Sequence, residues 1–331
     1  MTKHVRLREG SWQLLQLLDS APGLQVLADT LNELTLEGHE IVALTADLKH
    51  SNGLVRFADR HPDRFFQFGI SEQSMVTAAA GMAASGLRPV VGTFASFLAL
   101  LCCEQIRTDV AYQNLPVCLV GHHAGIALGF YGTSHHATED LAIMRAMANL
   151  TVVAPADAHS LAAALRAWSS QDGPVYLRIG RGREPDVYET EPVGFEFGRS
   201  IRLRDGDDVG VIATGSMVHP ARDAVDALRE DGVAAELLDM HTIKPIDRDA
   251  IVDLAARVPV VVTVEEHNVI GGLGGAVAEV LAEIGSGCRL VRHGIPDTYS
   301  LIGPPTHLYA HYGLDAPGIS EVIRRATHTP D

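Results

Sequence analysis

From residue 22 to about 180 the chain alternates short β-branched runs with alanine-rich runs of helical period. IVALTA at 41, FFQFG at 65, RPVVGTF at 88, PVCLVG at 116, TVVAP at 151 and PVYLR at 174 read as six strands. Helices are predicted near 22–37, 71–86, 95–113, 138–148 and 157–171. Most of these strands are apolar throughout, as strands buried on both faces are, so the pattern predicts a parallel sheet covered by helices on each side. Residues 182–198, GREPDVYETEPVGFEFG, lose the alternation and gather Pro, Gly and Glu, the mark of an exposed linker. Beyond it the pattern repeats on a smaller scale, with strands at DVGVIAT (208), AELLDM (235), VPVVVTV (258) and CRLVRH (288) and helices near 217–230, 247–257, 273–285 and 318–327. The expected fold class is therefore α/β, two domains with mostly parallel sheets. The expected division is an N-terminal extension 1–20, a first domain 21–185, a linker 186–198 and a second domain 199–331. Leu14, Leu15, Leu17 and Leu18 predict one amphipathic helix in the extension.

Composition narrows the partners. With 331 residues the chain is long enough for two self-sufficient cores. A formal charge of −15 repels phosphate backbones and anionic lipid, so neither nucleic acid nor a membrane is an expected partner. The longest uncharged apolar stretch, Pro89 to Cys103, is too short to span a bilayer. The N-terminus carries charge throughout and does not read as a secretory signal, which predicts a cytoplasmic protein. Cys102, Cys103, Cys118 and Cys288 have neither the spacing of a zinc site nor the density of a disulfide framework, so buried free thiols are expected.

In open α/β sheets ligands gather at the carboxyl ends of strands, and the polar residues of this chain concentrate there. After FFQFG, Ser71 is placed to cap a helix and Glu72 sits in its first turn, where complementing the helix dipole is the plain explanation and catalysis the sharper one. After RPVVG, Phe94 and Phe97 share a helical face and suit core packing as well as ligand stacking. After PVCLVG comes a Gly-rich loop with four histidines, His122, His123, His135 and His136. Adjacent imidazole pairs rarely converge on one ion, so a polar substrate mouth reads better than a metal site. Arg178 and Arg181 follow PVYLR, where a guanidinium suits a phosphate or an interdomain salt bridge. Glu265-Glu266-His267 and the glycines from Gly271 to Gly275 lack the G-x-G-x-x-G spacing and read as a structural turn into a helix.

Taken in order, FGISEQSM, TFASF, EQIR at 104–107, HHAGIALGFYGTSHHATEDLAIMR, VVAPAD at 152–157 and VTVEEHNVIGGLGGAVAEVLAE resemble the carboxyl-terminal two-thirds of a transketolase. The resemblance covers nearly the whole chain after residue 20. It implies a pyrimidine-binding domain for thiamine diphosphate followed by a transketolase C-terminal domain. It also implies that Glu72 hydrogen-bonds the aminopyrimidine of the cofactor, and that Phe94 and Phe97 pack on its ring. Asp47 lies near the thiazolium in this correspondence. His123 matches a sugar-contacting histidine and His135 a second active-site histidine, both taken as catalytic with Glu72, while Ser51 and Arg181 match the phosphate-binding end. Three positions depart from the family pattern: Leu100 replaces an aromatic, Leu24 a phosphate-binding arginine and Tyr131 an aspartate that contacts a donor hydroxyl.

The family holds the diphosphate and Mg²⁺ through a separate domain with G-D-G and paired Asn, and no such element is found here. Asp205-Gly206-Asp207 is a turn without an Asn partner. No metal ligands are assigned to this chain. The resemblance thus implies one subunit of a split enzyme, an α2β2 heterotetramer with a diphosphate-binding transketolase subunit, acting on a small sugar or sugar phosphate. A deoxyxylulose-phosphate-synthase-like carboligase, the beta subunit of a 2-oxo acid dehydrogenase and a non-catalytic partner subunit are the alternatives.

Overall fold

A computed structural model describes residues 22–328. The helix expected around Leu14–Leu18 lies outside the described residues. Strands β1 (Ile41–Thr45), β2 (Phe65–Gln67), β3 (Arg88–Phe94), β4 (Cys118–His122), β5 (Thr151–Val153) and β6 (Val175–Arg178) pair side by side in parallel. In β1, β4 and β6 every residue is buried, which is what an all-apolar strand between two helical layers requires. The second half contributes β7 (Ile201–Arg204), β8 (Val209–Ala213), β9 (Ala235–Asp239), β10 (Thr242–Lys244), β11 (Val260–Asn268) and β12 (Arg289–Ile295).

The two sheets do not divide as the sequence pattern suggests. β10 crosses over and pairs antiparallel with β5, so the first sheet has seven strands in the order β10-β5-β6-β4-β3-β1-β2. The second sheet has five, β12-β11-β8-β9-β7, with β7 antiparallel to β9. Both unforeseen strands are short edge strands, and β7 alternates charge with apolar residues, so neither carries a core-strand signature. A further helix, Pro305–Tyr312, was also absent from the pattern.

Local chemistry sets several of the helix starts. Asp157 accepts the Ser160 N–H at 2.8 Å while the Ser160 hydroxyl answers the Asp157 N–H, a capping box for Ala158–Ser169 worth about 1 kcal/mol. Ser71, expected as a cap, makes no side-chain capping bond. The single helix expected over 95–113 is broken: Phe97–Leu101 and Ile106–Ala111 are π-helical, with one short α-turn, Cys103–Gln105, between them. Such widened turns shift side chains around the axis and recur at functional sites. All four cysteines are free, but only Cys102 and Cys118 are buried, while Cys103 and Cys288 are half-buried.

Candidate active site

The parallel register brings the strand ends to one edge. Thr45 lies opposite Gly92, Phe94 opposite His122, and Gly121 opposite Arg178. The segments that follow β1, β2, β3, β4 and β6 therefore emerge together.

After β1, Asp47 is exposed with φ of 61°, and its backbone N–H donates to Gln67 Oε1 at 2.6 Å. Asn52, buried beneath this turn, donates to Thr45 Oγ1 at 2.8 Å and anchors the loop that carries half-buried Ser51. After β2, Glu72 opens the helix Glu72–Ala84 and is buried to 7% exposure. Its carboxylate has no hydrogen bond or ion pair among the described residues. The neighbouring Gln73 donates to the Leu101 carbonyl at 2.9 Å, tying the start of this helix to the π-helical segment that bears Phe97 and Leu100. Burial, reinforced by the Glu72 carboxylate, pushes the Cys102 thiol up to about 12, so that sulfur stays protonated.

Phe94, Phe97, His122, His123, His135 and Tyr131 form one aromatic cluster. The Phe94 ring meets Phe97 edge-on at 5.4 Å and the rings of His122, His123 and His135 at 4.9, 5.4 and 5.5 Å. His135 in turn lies 5.1 Å from Phe97 and 4.8 Å from Tyr131. Burial lowers all three histidines, His122 to about 3 and His123 well below its usual value, where His122, Arg181 and Arg183 add to the effect. The rings of His122 and His123 are neutral at physiological pH. His123 also holds a left-handed backbone, φ 56°, fixed by its N–H to the Gly180 carbonyl at 3.0 Å.

Tyr131, 44% exposed, and Arg181 border a cavity of about 760 Å³ between the histidine loop and the second half of the chain, with Arg183, His219, Pro304 and Tyr309 on its other walls. Burial and the neighbouring Arg183 lower Arg181 from its usual range. Leu100 is 54% exposed and faces outward rather than into this cluster's core.

Two residues considered at this edge serve the interior instead. Arg178 is buried, donating to Asp140 Oδ2 at 2.8 Å and to the carbonyls of Ala137 and Glu266, so it is not a phosphate ligand. Leu24 is 3% exposed in the first core. Gly182 packs so tightly on this residue that a Cβ on it would come within 2.5 Å of the Leu24 nitrogen, and an arginine at position 24 would have to bury its charge in that core.

The turn after β11 is structural, as its glycine spacing suggested. Glu265 accepts the N–H groups of Leu273 and Gly274 at 2.7 and 2.8 Å, capping the helix Leu273–Glu283. Glu266, read from the sequence only as part of that turn, has a longer reach: it accepts from Ile126 N–H, Ser216 Oγ and Tyr309 Oη at 2.7, 2.6 and 2.9 Å, and so fastens the histidine loop to the second half. Nothing in its local sequence signals this, because its partners lie 50, 43 and 140 positions away. Among the described residues no group of three or more His, Cys, Asp or Glu is placed to hold a metal ion, and no helix is long and apolar enough to cross a membrane.

The carboxyl edge of this doubly wound sheet thus gathers a little-exposed carboxylate, an aromatic pair and histidines whose pKa burial lowers, the place where α/β sheets take their ligands. Residues 20–185 match the transketolase pyrimidine-binding domain and residues 198–319 the transketolase C-terminal domain. The chain belongs to the transketolase family. It is 39% identical over 291 residues to one of the subunits of the apulose-4-phosphate transketolase of Phocaeicola vulgatus, covering 88% of this chain and 93% of that one. It is 40% identical over 297 residues to 1-deoxy-D-xylulose-5-phosphate synthase 1 of Geobacter sulfurreducens, covering 89% of this chain but 46% of that one. Among solved structures, a split-gene transketolase described as an inactive beta4 tetramer superposes with a TM-score of 0.85 and 40% identity, over 92% of this chain and 98% of that one.

Proposed function

We propose that this chain is the second subunit of a two-component, thiamine-diphosphate-dependent transketolase that moves a two-carbon ketol unit between sugar-like substrates. The observation that carries the reading is Glu72: a residue only 7% exposed whose carboxylate reaches the surface and makes no hydrogen bond or ion pair among the described residues, at the same sheet edge as the Phe94–Phe97 pair. A carboxylate in so narrow an opening gains from a hydrogen-bond partner, and the ring nitrogen of a bound pyrimidine would supply one with a single proton shared between the two. The aromatic edges suit the faces of that ring. When bound, thiamine diphosphate supplies the electron sink for breaking and forming a carbon–carbon bond beside a carbonyl.

The residues of this chain divide the remaining work. Glu72 holds the cofactor's pyrimidine and its proton. His123 and His135, neutral and wedged among aromatics, hydrogen-bond substrate oxygens, while Arg181 with Ser51 receives its anionic end and Asp47 lies near the cofactor's cationic ring. Ile70, Leu100 and Leu101, exposed at 85, 54 and 51% around the start of the Glu72 helix, suit a face covered by another subunit. That subunit would hold the diphosphate and Mg²⁺, in an α2β2 heterotetramer working in cytoplasmic carbohydrate metabolism.

The identity to a deoxyxylulose-phosphate synthase supports a second reading, an acyloin condensation that starts from a 2-oxo acid. The deciding experiment pairs the chain with a diphosphate-binding transketolase subunit and offers either a ketose phosphate or pyruvate as donor. Calorimetry accompanies it: weak cofactor binding by the chain alone and tight binding by the pair is the expected result. Tight stoichiometric binding of thiamine diphosphate and Mg²⁺ by the isolated chain overturns the two-component reading, and turnover of pyruvate alone selects the condensation.

A further inference from the structure

The side chains of His122 and His123 face each other with their Nδ1 atoms 2.7 Å apart. Two ring nitrogens at that distance require one proton between them, because two lone pairs repel and two N–H groups collide. His122 ends β4 with no exposed surface, and His123 is 6% exposed. Each ring is neutral and carries one proton, which leaves two arrangements.

In the first, His123 donates from Nδ1, and the proton of His122 must then sit on Nε2. That atom is buried and has no partner, so the arrangement strands a buried N–H, the rarer and costlier kind of orphan. In the second, His122 donates from Nδ1 and its Nε2 is a bare ring nitrogen, an acceptor left unused. His123 then keeps its proton on Nε2, the nitrogen on the far side of its ring from His122.

We propose that His122 is a positioning residue that fixes His123 as the Nε2–H tautomer, making His123 an obligate hydrogen-bond donor toward substrate. The geometry supports a single orientation. The left-handed backbone at His123 and its N–H bond to Gly180 set the direction of the side chain, and the Phe94 edge packs on both rings. For a substrate this means that the group read by His123 is an acceptor oxygen, a carbonyl or a hydroxyl presenting its lone pair. Within the proposed ketol transfer, on which the substrate part of this inference rests, His123 stabilises negative charge on oxygen and does not remove a proton in the ground state.

The test reads the tautomer directly. Long-range proton–nitrogen spectra of the full chain with histidine rings labelled by ¹⁵N distinguish a protonated ring nitrogen from a bare one. The expected result is His123 with a bare Nδ1 and a protonated Nε2, and His122 with the reverse. His122→Phe keeps the ring volume and removes the donor, so His123 becomes a mixture of tautomers. His123 protonated on Nδ1 in the wild type, or an unchanged His123 in the Phe variant, overturns the proposal. If His122→Phe does not fold, the wild-type spectrum, assigned with His123→Gln, decides alone.

In the pair reconstituted with its diphosphate-binding subunit, His122→Phe should lose about tenfold in kcat/KM, the equivalent of one neutral hydrogen bond, and His122→Asn should restore activity in proportion to the Nε2–H fraction of His123. Activity that does not follow that fraction overturns the positioning role. A wild-type pair without ketol transfer counts against the functional reading only, because the tautomer is measured on the chain by itself.

Discussion

The Glu266 carboxylate accepts the backbone N–H of Ile126 at 2.7 Å, and by that bond a residue of the five-stranded sheet holds the loop that carries His123, Tyr131 and His135. The fit is close, since a Cβ on the preceding Gly125 would come within 2.2 Å of the Glu266 carboxyl carbon, and Gly125 has φ of 62°. The second half of the chain thereby shapes a candidate site built mainly from the first.

Replacing that carboxylate separates charge from shape. Glu266→Ala leaves Ile126 N–H, Tyr309 Oη and Ser216 Oγ without their acceptor, at a cost of about 2–4 kcal/mol, whereas Glu266→Gln keeps one acceptor oxygen and should cost about 1 kcal/mol. Urea unfolding gives both values. Equal losses in the two variants would show that the carboxylate acts by charge alone.

Glu72→Gln conserves volume and removes the ionisable oxygen. Turnover of the reconstituted pair should fall by about 10²–10⁴, the range for a positioned acid–base group, with subunit pairing and circular dichroism unchanged. Full activity in the Gln variant would remove Glu72 from the mechanism.

The two departures in the substrate region should behave differently. Tyr131 is 44% exposed, so Tyr131→Asp should fold normally and shift the preference between donors in a kcat/KM comparison. Leu24 is a core residue against Gly182, so Leu24→Arg should lower stability by about 3 kcal/mol or more rather than rebuild a phosphate contact. A well-folded Leu24→Arg protein with improved phosphate affinity would contradict this packing argument.

Acid sensitivity follows from the buried histidines. Burial depresses His122 to about 3 and His241 to about 4, the latter partly offset by Asp247. A group depressed in the fold takes up its proton first in the unfolded chain, so its stabilisation is complete above pH 6.5 and is lost as the pH falls. Buried Glu265 and Asp239, both raised to about 7, act in the opposite sense, with stability complete below the ordinary carboxylate range and lost as pH rises toward 7. His122→Phe isolates one contribution: between pH 7 and pH 5 its unfolding free energy should fall by about 2 kcal/mol less than that of the wild type. An identical fall in both proteins would mean that His122 is not held neutral.

The sequence by itself determined the α/β class, six strands of the first sheet and four of the second, and the strand-end residues that the fold gathers at one edge. It could do so because doubly buried strands write their environment into unbroken apolar runs such as PVCLVG, and because a parallel sheet sends every strand's carboxyl end to the same edge. Tertiary structure decided the rest. Thr242–Lys244 is three residues long, and only its pairing with β5 makes it a strand. Arg178 was open to an anion or to a salt bridge until Asp140, 38 positions away, took its guanidinium inward, and Leu24 looked like a vacant phosphate site until Gly182 packed on it. Glu266 and the facing Nδ1 atoms of His122 and His123 belong to the same class. Burial and hydrogen-bond satisfaction are properties of contacts between distant segments, and a local pattern of residue types does not contain them.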